Sequence, residues 1–239
     1  CKVVSSYSQP DEAVNVIKST VESMQGQLIV PSENDIAVIK SDLLGTAFKY
    51  GGNAYSITMP GIHQLKNMTC VIEACELLKE HFNITTQNIQ SGISKTVLPA
   101  RVEVLSVQPL VVLDGGHNAD GAKAFYDAVE EEISKKERVI VIAGMMADKE
   151  VEESLKPLMK KANVFLAVTP NNPRAMSADA LAQIAVKYSD KVFAVEDINQ
   201  AVNISLEAVN ESTAIFVVGS LYLAGEIREY LIENLKKFN

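Results

Sequence analysis

The chain has 239 residues, of which 47% are hydrophobic and 22% are charged, a composition that is ordinary for a globular protein. Its formal net charge is −8 and no run of Lys or Arg forms a basic stripe, which argues against a nucleic-acid partner. No apolar run approaches the roughly 20 residues needed to cross a bilayer, so we expect no membrane partner.

The three cysteines, Cys1, Cys70 and Cys75, lack metal-ligand spacing, and any disulfide would leave one of them unpaired. A reducing, cytoplasmic location is the simplest interpretation. The chain begins with Cys1 instead of Met, and residues 2–5 already have the pattern of a strand interior. We therefore expect a fragment of a longer protein, and the lack of a signal peptide is weak evidence about location.

Residues 1–30 predict a strand, a helix and a second strand. Pro10 lies near the start of the helix and Gly26 is expected to end it. Short strands separated by turns are predicted between Ile36 and Met59, and they include a hairpin over Phe48–Ile57 with Gly-Gly-Asn as its turn.

A second helix is predicted to start near residue 64 and to run through roughly Leu78. Its buried side is expected to carry an apolar group of residues: Cys70, Ala74, Leu77 and Leu78. His63, just before this helix, could bind a ligand, cap the helix or pack beneath it. The polar stretch from His81 to Leu98 is interpreted as the connection between two domains.

From Leu110 onward, apolar strands alternate regularly with amphipathic helices. This pattern predicts a mostly parallel, Rossmann-like sheet covered on both faces, and Val102–Val107 could add an edge strand. The predicted strands are Leu110–Leu113, Val139–Ala143, Val164–Val168, Val192–Val195 and Ile215–Val218. The helices are predicted to begin near Asn118, Lys149, Ser177, Asp197 and Ser220.

Polar residues follow several of these strands, above all in the segment Asp114-Gly115-Gly116-His117-Asn118. Ligands of open α/β sheets bind at the carboxyl ends of the strands, so these side chains are placed to touch one. Further polar groups follow the other strands, namely Asp148, Lys149, Arg174 and Ser220. The competing interpretation is structural: either Asp114 or Asn118 would cap the helix after this segment, Asp148 and Ser220 would cap the helices that follow them, and Arg174 would lie on the surface.

Several common sites are missing from the sequence. It has no G-x-x-x-x-G-K-[ST] phosphate loop, no G-x-G-x-x-G fingerprint after a strand, no Cys/His metal cluster and no G-x-S-x-G elbow. An independent dehydrogenase, hydrolase or NTPase is therefore hard to build from this chain.

Five motifs, in order along the chain, resemble those of folylpolyglutamate synthase and dihydrofolate synthase, which belong to the Mur ligase superfamily. Gly61–Asn67 resembles that family's G-x-H-Q-x-x-N, Pro99–Glu103 its P-G-R-x-E and Asp114–Asn118 its D-G-A-H-N. Asp148–Glu150 is similar to its D-K-D, and Gly219–Tyr222 to its G-S-L-Y. Two departures are small, because Ala100 replaces a glycine and Gly116 an alanine without removal of a functional side chain.

The resemblance implies two regions. Residues 1–95 would be the carboxy-terminal remnant of the family's α/β ATPase domain, and residues 96–239 the complete Mur ligase carboxy-terminal domain. The phosphate loop and the magnesium ligands would lie in the missing amino-terminal region. This chain alone is therefore expected to be inactive, and no catalytic residue is assigned in it.

The implied activity is an ATP-dependent, Mg²⁺-requiring ligation of L-glutamate to a folate or to dihydropteroate through an acyl phosphate, by a protein expected to be monomeric. Carried over by position, Asn67, Arg101 and Asp114 would contact ATP, and His117 and Ser220 would contact glutamate. His63, Asn118, Asp148 and Lys149 would support them, and no metal ligand is assigned here.

Two alternatives stay open. The parent could be another Mur-type amino-acid ligase, although Gln64 and the Gly-Ser-Leu-Tyr segment favour the folate branch. The chain could also be a non-catalytic nucleotide-binding or interaction module. The sequence does not decide between addition of the first glutamate, extension of the tail, or both.

Overall fold

The computed structural model describes residues 1–238, and strands alternate with helices along most of them. These residues form two units, Cys1–Val97 and the residues from Leu98 onward. Asn239, the last residue of the predicted second domain, lies outside the described residues. Within residues 1–238, no helix is both long and apolar enough to span a bilayer.

The first unit opens with the predicted strand, helix and strand. Strand β1 (Lys2–Val4) pairs in parallel with β2 (Gln27–Ile29), and helix α1 (Asp11–Ser23) connects them. The expectation that Gly26 ends the helix is wrong, because Gln25 takes the left-handed conformation after it, with φ of +50°. Gly26 has a different role, since a Cβ atom there would lie 2.9 Å from the Cys1 sulfur.

Three antiparallel strands follow: β3 (Ala37–Asp42), β4 (Gly45–Tyr50) and β5 (Asn53–Ile57). The predicted hairpin is confirmed, but its turn is shorter than predicted, because Asn53 already pairs with Tyr50 and only two residues remain in the turn. Gly51 and Gly52 both have positive φ, as the tight hairpin turns that match strand twist require.

Helix α2 spans Gln64–Leu78, as predicted, but its buried face is not the predicted one. The side chains in the core are Leu65, Met68 and Ile72, whereas Leu78 is 42% exposed and Cys70 is half-buried. The buried face occupies the first half of the helix, where it shares a core with residues of β4 and β5.

The stretch interpreted as a connection contains a helix, α3 (Thr86–Lys95), so that interpretation is wrong for most of its length. The Thr85 hydroxyl accepts a bond from the Asn88 N–H, and the Asn88 side chain accepts one from the Thr85 N–H. This capping box fixes the start of the helix. Ile89 and Ile93 are 4% exposed and belong to the same core as Leu65.

Because α3 is part of this core, Ile93→Ala should lower the free energy of unfolding of the chain by about 2 to 5 kcal/mol. Val97→Ala is the matched control, since Val97 is 63% exposed and should change stability by no more than about 0.5 kcal/mol. Urea denaturation of both variants measures the difference. Equal, small changes in stability for the two variants would show that residues 86–95 are a linker and not part of the core.

The second unit is built around one six-stranded sheet with the strand order β10-β9-β8-β11-β7-β6. Its strands are β6 (Glu103–Val107), β7 (Leu110–Leu113), β8 (Arg138–Ala143), β9 (Val164–Ala167), β10 (Val192–Ala194) and β11 (Thr213–Val218). Its helices are α4 (Ala119–Ser134), α5 (Val151–Met159), α6 (Ala178–Ala185), α7 (Ile198–Glu207) and α8 (Leu221–Leu235).

The predicted mostly parallel sheet is confirmed. Strands β7 to β11 are mutually parallel, and β6 joins β7 in the antiparallel sense as an edge strand. The four residues of β7 and the six of β11 are all buried, as expected for strands covered on both faces. The carboxyl ends of the five parallel strands consequently meet at one edge of the sheet.

Candidate functional site

The side chain of Asp114 organises this edge of the sheet. Asp114 follows β7, is only 7% exposed, and accepts two backbone hydrogen bonds. Its Oδ2 accepts from the Val102 N–H at 2.9 Å, and its Oδ1 accepts from the Gly116 N–H at 2.7 Å. Asp114 therefore connects the loop before β6 with the turn after β7, and it is not a helix cap.

Gly116 has a steric reason to lack a side chain. A Cβ atom at this position would lie 2.6 Å from Asp114 Oδ1, closer than a carbon and an oxygen normally approach. The glycine lets the backbone N–H come close enough to the carboxylate to donate to it. The turn and the carboxylate thus depend on each other.

Arg101 lies on a strained loop. Its two neighbours, Ala100 and Val102, have φ of +57° and +47°. For residues other than glycine this left-handed region costs about 1 to 3 kcal/mol each, and a β-branched residue such as Val102 is an outlier there. Where the family pattern has glycine, Ala100 keeps the conformation that favours glycine.

A second carboxylate holds the other side of this loop. Glu103 Oε2 accepts from the Ala100 N–H at 2.9 Å, and both Glu103 oxygens accept from Arg228 of α8. The shortest of these contacts joins Arg228 Nη2 to Glu103 Oε1 at 2.7 Å. The planar guanidinium matches the carboxylate with two parallel bonds, a strong form of ion pair.

The two carboxyl groups differ in their ionisation. Burial raises the pKa of the Asp114 carboxyl, and the backbone bonds and the nearby Arg101 charge offset only part of that increase. Burial also opposes ionisation of Glu103, but the bonds from Arg228 and from the Ala100 N–H outweigh it and lower the pKa of its carboxyl. Glu103 is thus the firmly charged member of the two.

A lowered pKa makes the contribution of Glu103 to stability depend on pH. Its contribution is complete above the unfolded-state pKa of about 4.3 and is lost as pH falls through the lower folded-state pKa. Glu103→Gln should therefore lower the free energy of unfolding by about 1.5 to 3 kcal/mol at pH 7, with the difference shrinking toward zero in strong acid.

Chemical denaturation of the chain at a series of pH values measures this difference. Glu233→Gln is the control, because Glu233 is an exposed residue of the same helix as Arg228. A pH-independent loss in Glu103→Gln would show that the ionised carboxylate does not carry the effect.

The remaining predicted residues of the second unit mostly begin helices. Asn118 caps α4, with its Oδ1 accepting from the Gly121 N–H, and Ser220 caps α8, with its Oγ accepting from the Leu223 N–H. Ser220 is 2% exposed, whereas His117, two residues beyond Gly115, is exposed. Both helix starts follow neighbouring strands, β7 and β11.

Asp148 does not cap α5, contrary to the structural interpretation of it. The N-cap position is Glu150, and Asp148 Oδ2 pairs with Arg174 Nη1 at 3.4 Å across two loops that follow β8 and β9. The backbone joins the same loops, since the Ala147 N–H donates to the Arg174 carbonyl at 2.8 Å. Lys149 lies half-buried in the turn before α5.

The space behind Asp114 is too small for a substrate. Gly116, Phe125, Met145 and Ser154 help to line a cavity of about 10 Å³ there, which at most accommodates one water molecule. Any ligand at this edge would therefore lie outside this cavity.

In the first unit, the residues around the start of α2 form a hydrogen-bonded row. Gln64 is 4% exposed; its Oε1 accepts from Asn67 Nδ2 at 2.9 Å and its Nε2 lies 3.1 Å from His63 Nε2. His63 holds the N-cap position without a side-chain cap bond. Gln64 therefore connects His63 and Asn67, the two candidate site residues of this segment.

The sequence alone does not reveal the structural roles of Glu103 and Arg228. In the sequence Glu103 is only a position of a motif, and no signal in α8 distinguishes Arg228 from other charged residues on a partly exposed face. Among residues 1–238, no group of three or more His, Cys, Asp or Glu side chains could hold a metal ion.

Comparison with known proteins identifies the class. Residues 100–221, just over half of the chain, match the family model described as Mur ligase, glutamate ligase domain. The chain therefore belongs to the Mur ligase family. The relatives that it matches include folylpolyglutamate synthases and dihydrofolate synthases.

Individual relatives support this placement. The folylpolyglutamate synthase of Lacticaseibacillus casei is 30% identical over 96% of this chain and 54% of its own length. The Mycobacterium tuberculosis folylpolyglutamate synthase structure, complexed with ADP, superposes with a TM-score of 0.81 at 20% identity, over 96% of this chain and 55% of that one.

A third comparison is a bifunctional folylpolyglutamate synthase/dihydrofolate synthase solved with Mn, AMPPNP and L-glutamate bound. Its TM-score is 0.71 at 20% identity, over 95% of this chain and 53% of that one. At these identities the structures show the fold alone. The chain spans about half the length of the relatives that it matches.

Proposed function

We propose that this chain is the carboxy-terminal part of an ATP-dependent ligase that adds L-glutamate to a folate or to dihydropteroate. The observation that carries the proposal is the loop of Arg101, held between two carboxylates at the carboxyl-end edge of the sheet. A guanidinium on a fixed, strained loop at the ligand-binding edge suits a phosphate group, which it can contact through two N–H donors.

The proposed reaction has two steps. ATP first transfers its γ-phosphoryl group to a carboxylate of the folate substrate, which gives ADP and an acyl phosphate. The amine of L-glutamate then attacks the acyl carbon, inorganic phosphate leaves, the amine loses a proton, and an amide bond forms. Mg²⁺ would neutralise phosphate charge in the first step, held by residues of the region that precedes this chain in its relatives.

Three residues are proposed to contact ATP: Asn67, Arg101 and Asp114. Arg101 would contact phosphate oxygens. Each Asp114 oxygen already accepts one backbone bond but keeps a second lone pair that a ribose hydroxyl could use. Asn67 donates its Nδ2 to Gln64, which leaves its Oδ1 as an acceptor for an exocyclic amine such as that of adenine.

Glutamate is proposed to bind where α4 and α8 begin, beside His117 and Ser220. Free backbone N–H groups at helix starts favour carboxylates, and glutamate brings two of them. The solved relative with L-glutamate bound supports an amino-acid site in a protein of this fold. Supporting roles are proposed for four further residues: Asn118, Asp148, Lys149 and His63.

We further propose that residues 1–95 are the end of an ATPase domain and residues 96–239 a whole glutamate ligase domain. The alternative, a non-catalytic module, predicts a shorter reading frame than the ligase does. A reading frame with about 180 or more additional upstream residues and a G-K-[ST] loop supports the ligase, whereas a gene that encodes only this chain supports the module.

Arg101→Ala in the product of the complete reading frame should raise the transition-state free energy by about 3 kcal/mol or more, because the positive charge that contacts the transferring phosphoryl group is lost. Arg101→Lys should restore activity only in part, since an ammonium group cannot reproduce the guanidinium fork. ADP release with folate and glutamate measures both, and the isolated 239-residue chain should stay at background. Wild-type kinetics in Arg101→Ala would make Arg101 a surface residue.

His117→Ala and Ser220→Ala should each raise the KM for glutamate and leave the KM for ATP unchanged. Ser220→Ala should also lower stability by about 1 kcal/mol, because the α8 cap is lost in either interpretation. Ser177→Ala is the matched control, since Ser177 caps α6 by the same bond and has no proposed ligand role. If Ser220→Ala and Ser177→Ala both change only the melting temperature, Ser220 is a structural cap.

A further inference from the structure

The ion pair between Glu103 and Arg228 contacts none of the proposed substrates, yet Glu103 is hydrogen-bonded to the loop of Arg101 through the Ala100 N–H. We propose that Arg228 and Glu103 are positioning residues that set the place of the Arg101 guanidinium for phosphoryl transfer. This inference rests on the proposed function of Arg101.

The argument begins with the backbone on either side of Arg101. Ala100 and Val102 both have left-handed φ values that residues of their type rarely adopt. Such conformations persist only where the surroundings hold them. Three bonds do so here: the Ala100 N–H donates to Glu103, the Val102 N–H to Asp114, and the Gly115 N–H to the Ala100 carbonyl.

The next step concerns what holds Glu103 itself. Its side chain is 13% exposed and touches three donors, the Ala100 N–H and two nitrogens of Arg228. Without Arg228 the carboxylate would keep only the backbone donor and would be free to turn toward water. The Ala100 N–H would then lose its acceptor, and Ala100 could relax toward an ordinary φ.

Relaxation at Ala100 changes the direction of the chain one residue before Arg101. A guanidinium at the end of a long side chain is displaced further than the backbone that carries it. Displacement of a catalytic group by about 1 Å can lower a rate about 100-fold, so Arg228 can affect catalysis without touching a substrate.

The test uses variants of the complete reading frame's product. Arg228→Ala should lower kcat about 10- to 100-fold with a smaller change in the KM for glutamate, and Arg228→Lys should recover part of the loss. Arg138→Ala is the matched control, because Arg138 also donates a side-chain bond, to the Ala208 carbonyl, but lies at the amino end of β8. It should leave kcat unchanged.

The decisive measurement is the double variant Arg101→Ala/Arg228→Ala. If Arg228 acts through Arg101, the double variant should be no slower than Arg101→Ala alone, whereas independent effects would multiply. Amide hydrogen exchange should also accelerate at Ala100 and Val102 in Arg228→Ala, and melting curves show whether the variants fold. Glu103→Gln gives the same comparison if Arg228→Ala does not fold.

Two outcomes would overturn the inference in different ways. If Arg101→Ala impairs the enzyme and Arg228→Ala lowers only the melting temperature, the positioning part is wrong and the proposed function stands. If Arg101→Ala has wild-type kinetics, the proposed part of Arg101 fails, and with it any catalytic consequence of Arg228, even where hydrogen exchange shows that the loop has loosened.

Discussion

The Asp114 carboxylate binds backbone N–H groups on both sides of itself in the chain, and the shape of the candidate site depends on those two bonds. The Val102 bond shapes the loop before β6, and the Gly116 bond shapes the turn after β7. Burial disfavours the charge on Asp114 and raises the pKa of its carboxyl. Groups whose pKa is shifted by burial and by specific partners cluster at functional sites.

The sheet supplies the frame on which this carboxylate can act. The register aligns Leu113 of β7 with Val217 of β11, and Val217 accepts from the Asp114 N–H at 2.9 Å. The starts of α4 and α8 are consequently set by neighbouring buried strands. Rigid strands that end in polar turns are how open α/β sheets combine a stable core with a reactive edge.

The elements after Leu110 could be predicted because buried parallel strands are continuous apolar runs and their helices begin at recognisable caps such as Asn118, Ser177 and Ser220. Helix α3 could not, because Ile89 and Ile93 are its only strong apolar signals amid polar residues and Gly92. The short motifs indicated where polar groups would gather, and the resemblance suggested their ligands.

The geometry of the loop of Arg101 lay outside what a sequence shows. Val102 is β-branched, so local preference predicts an extended conformation. Tertiary hydrogen bonds instead hold it in the left-handed region. The partner of Glu103 lies 125 residues away, too far for any periodic pattern to reveal. Local propensity yields to such long-range contacts most often at functional sites.

That separation in sequence has a consequence for how the protein is made. The chain leaves the ribosome from its amino terminus, so the loop of Arg101 is synthesised long before Arg228, which lies in α8. Until α8 has been released and has docked, Glu103 lacks its partner and the loop lacks one of its supports. A shortened product that ends before α8 would carry every residue of the loop and of the Asp114 turn without the contact that completes their arrangement.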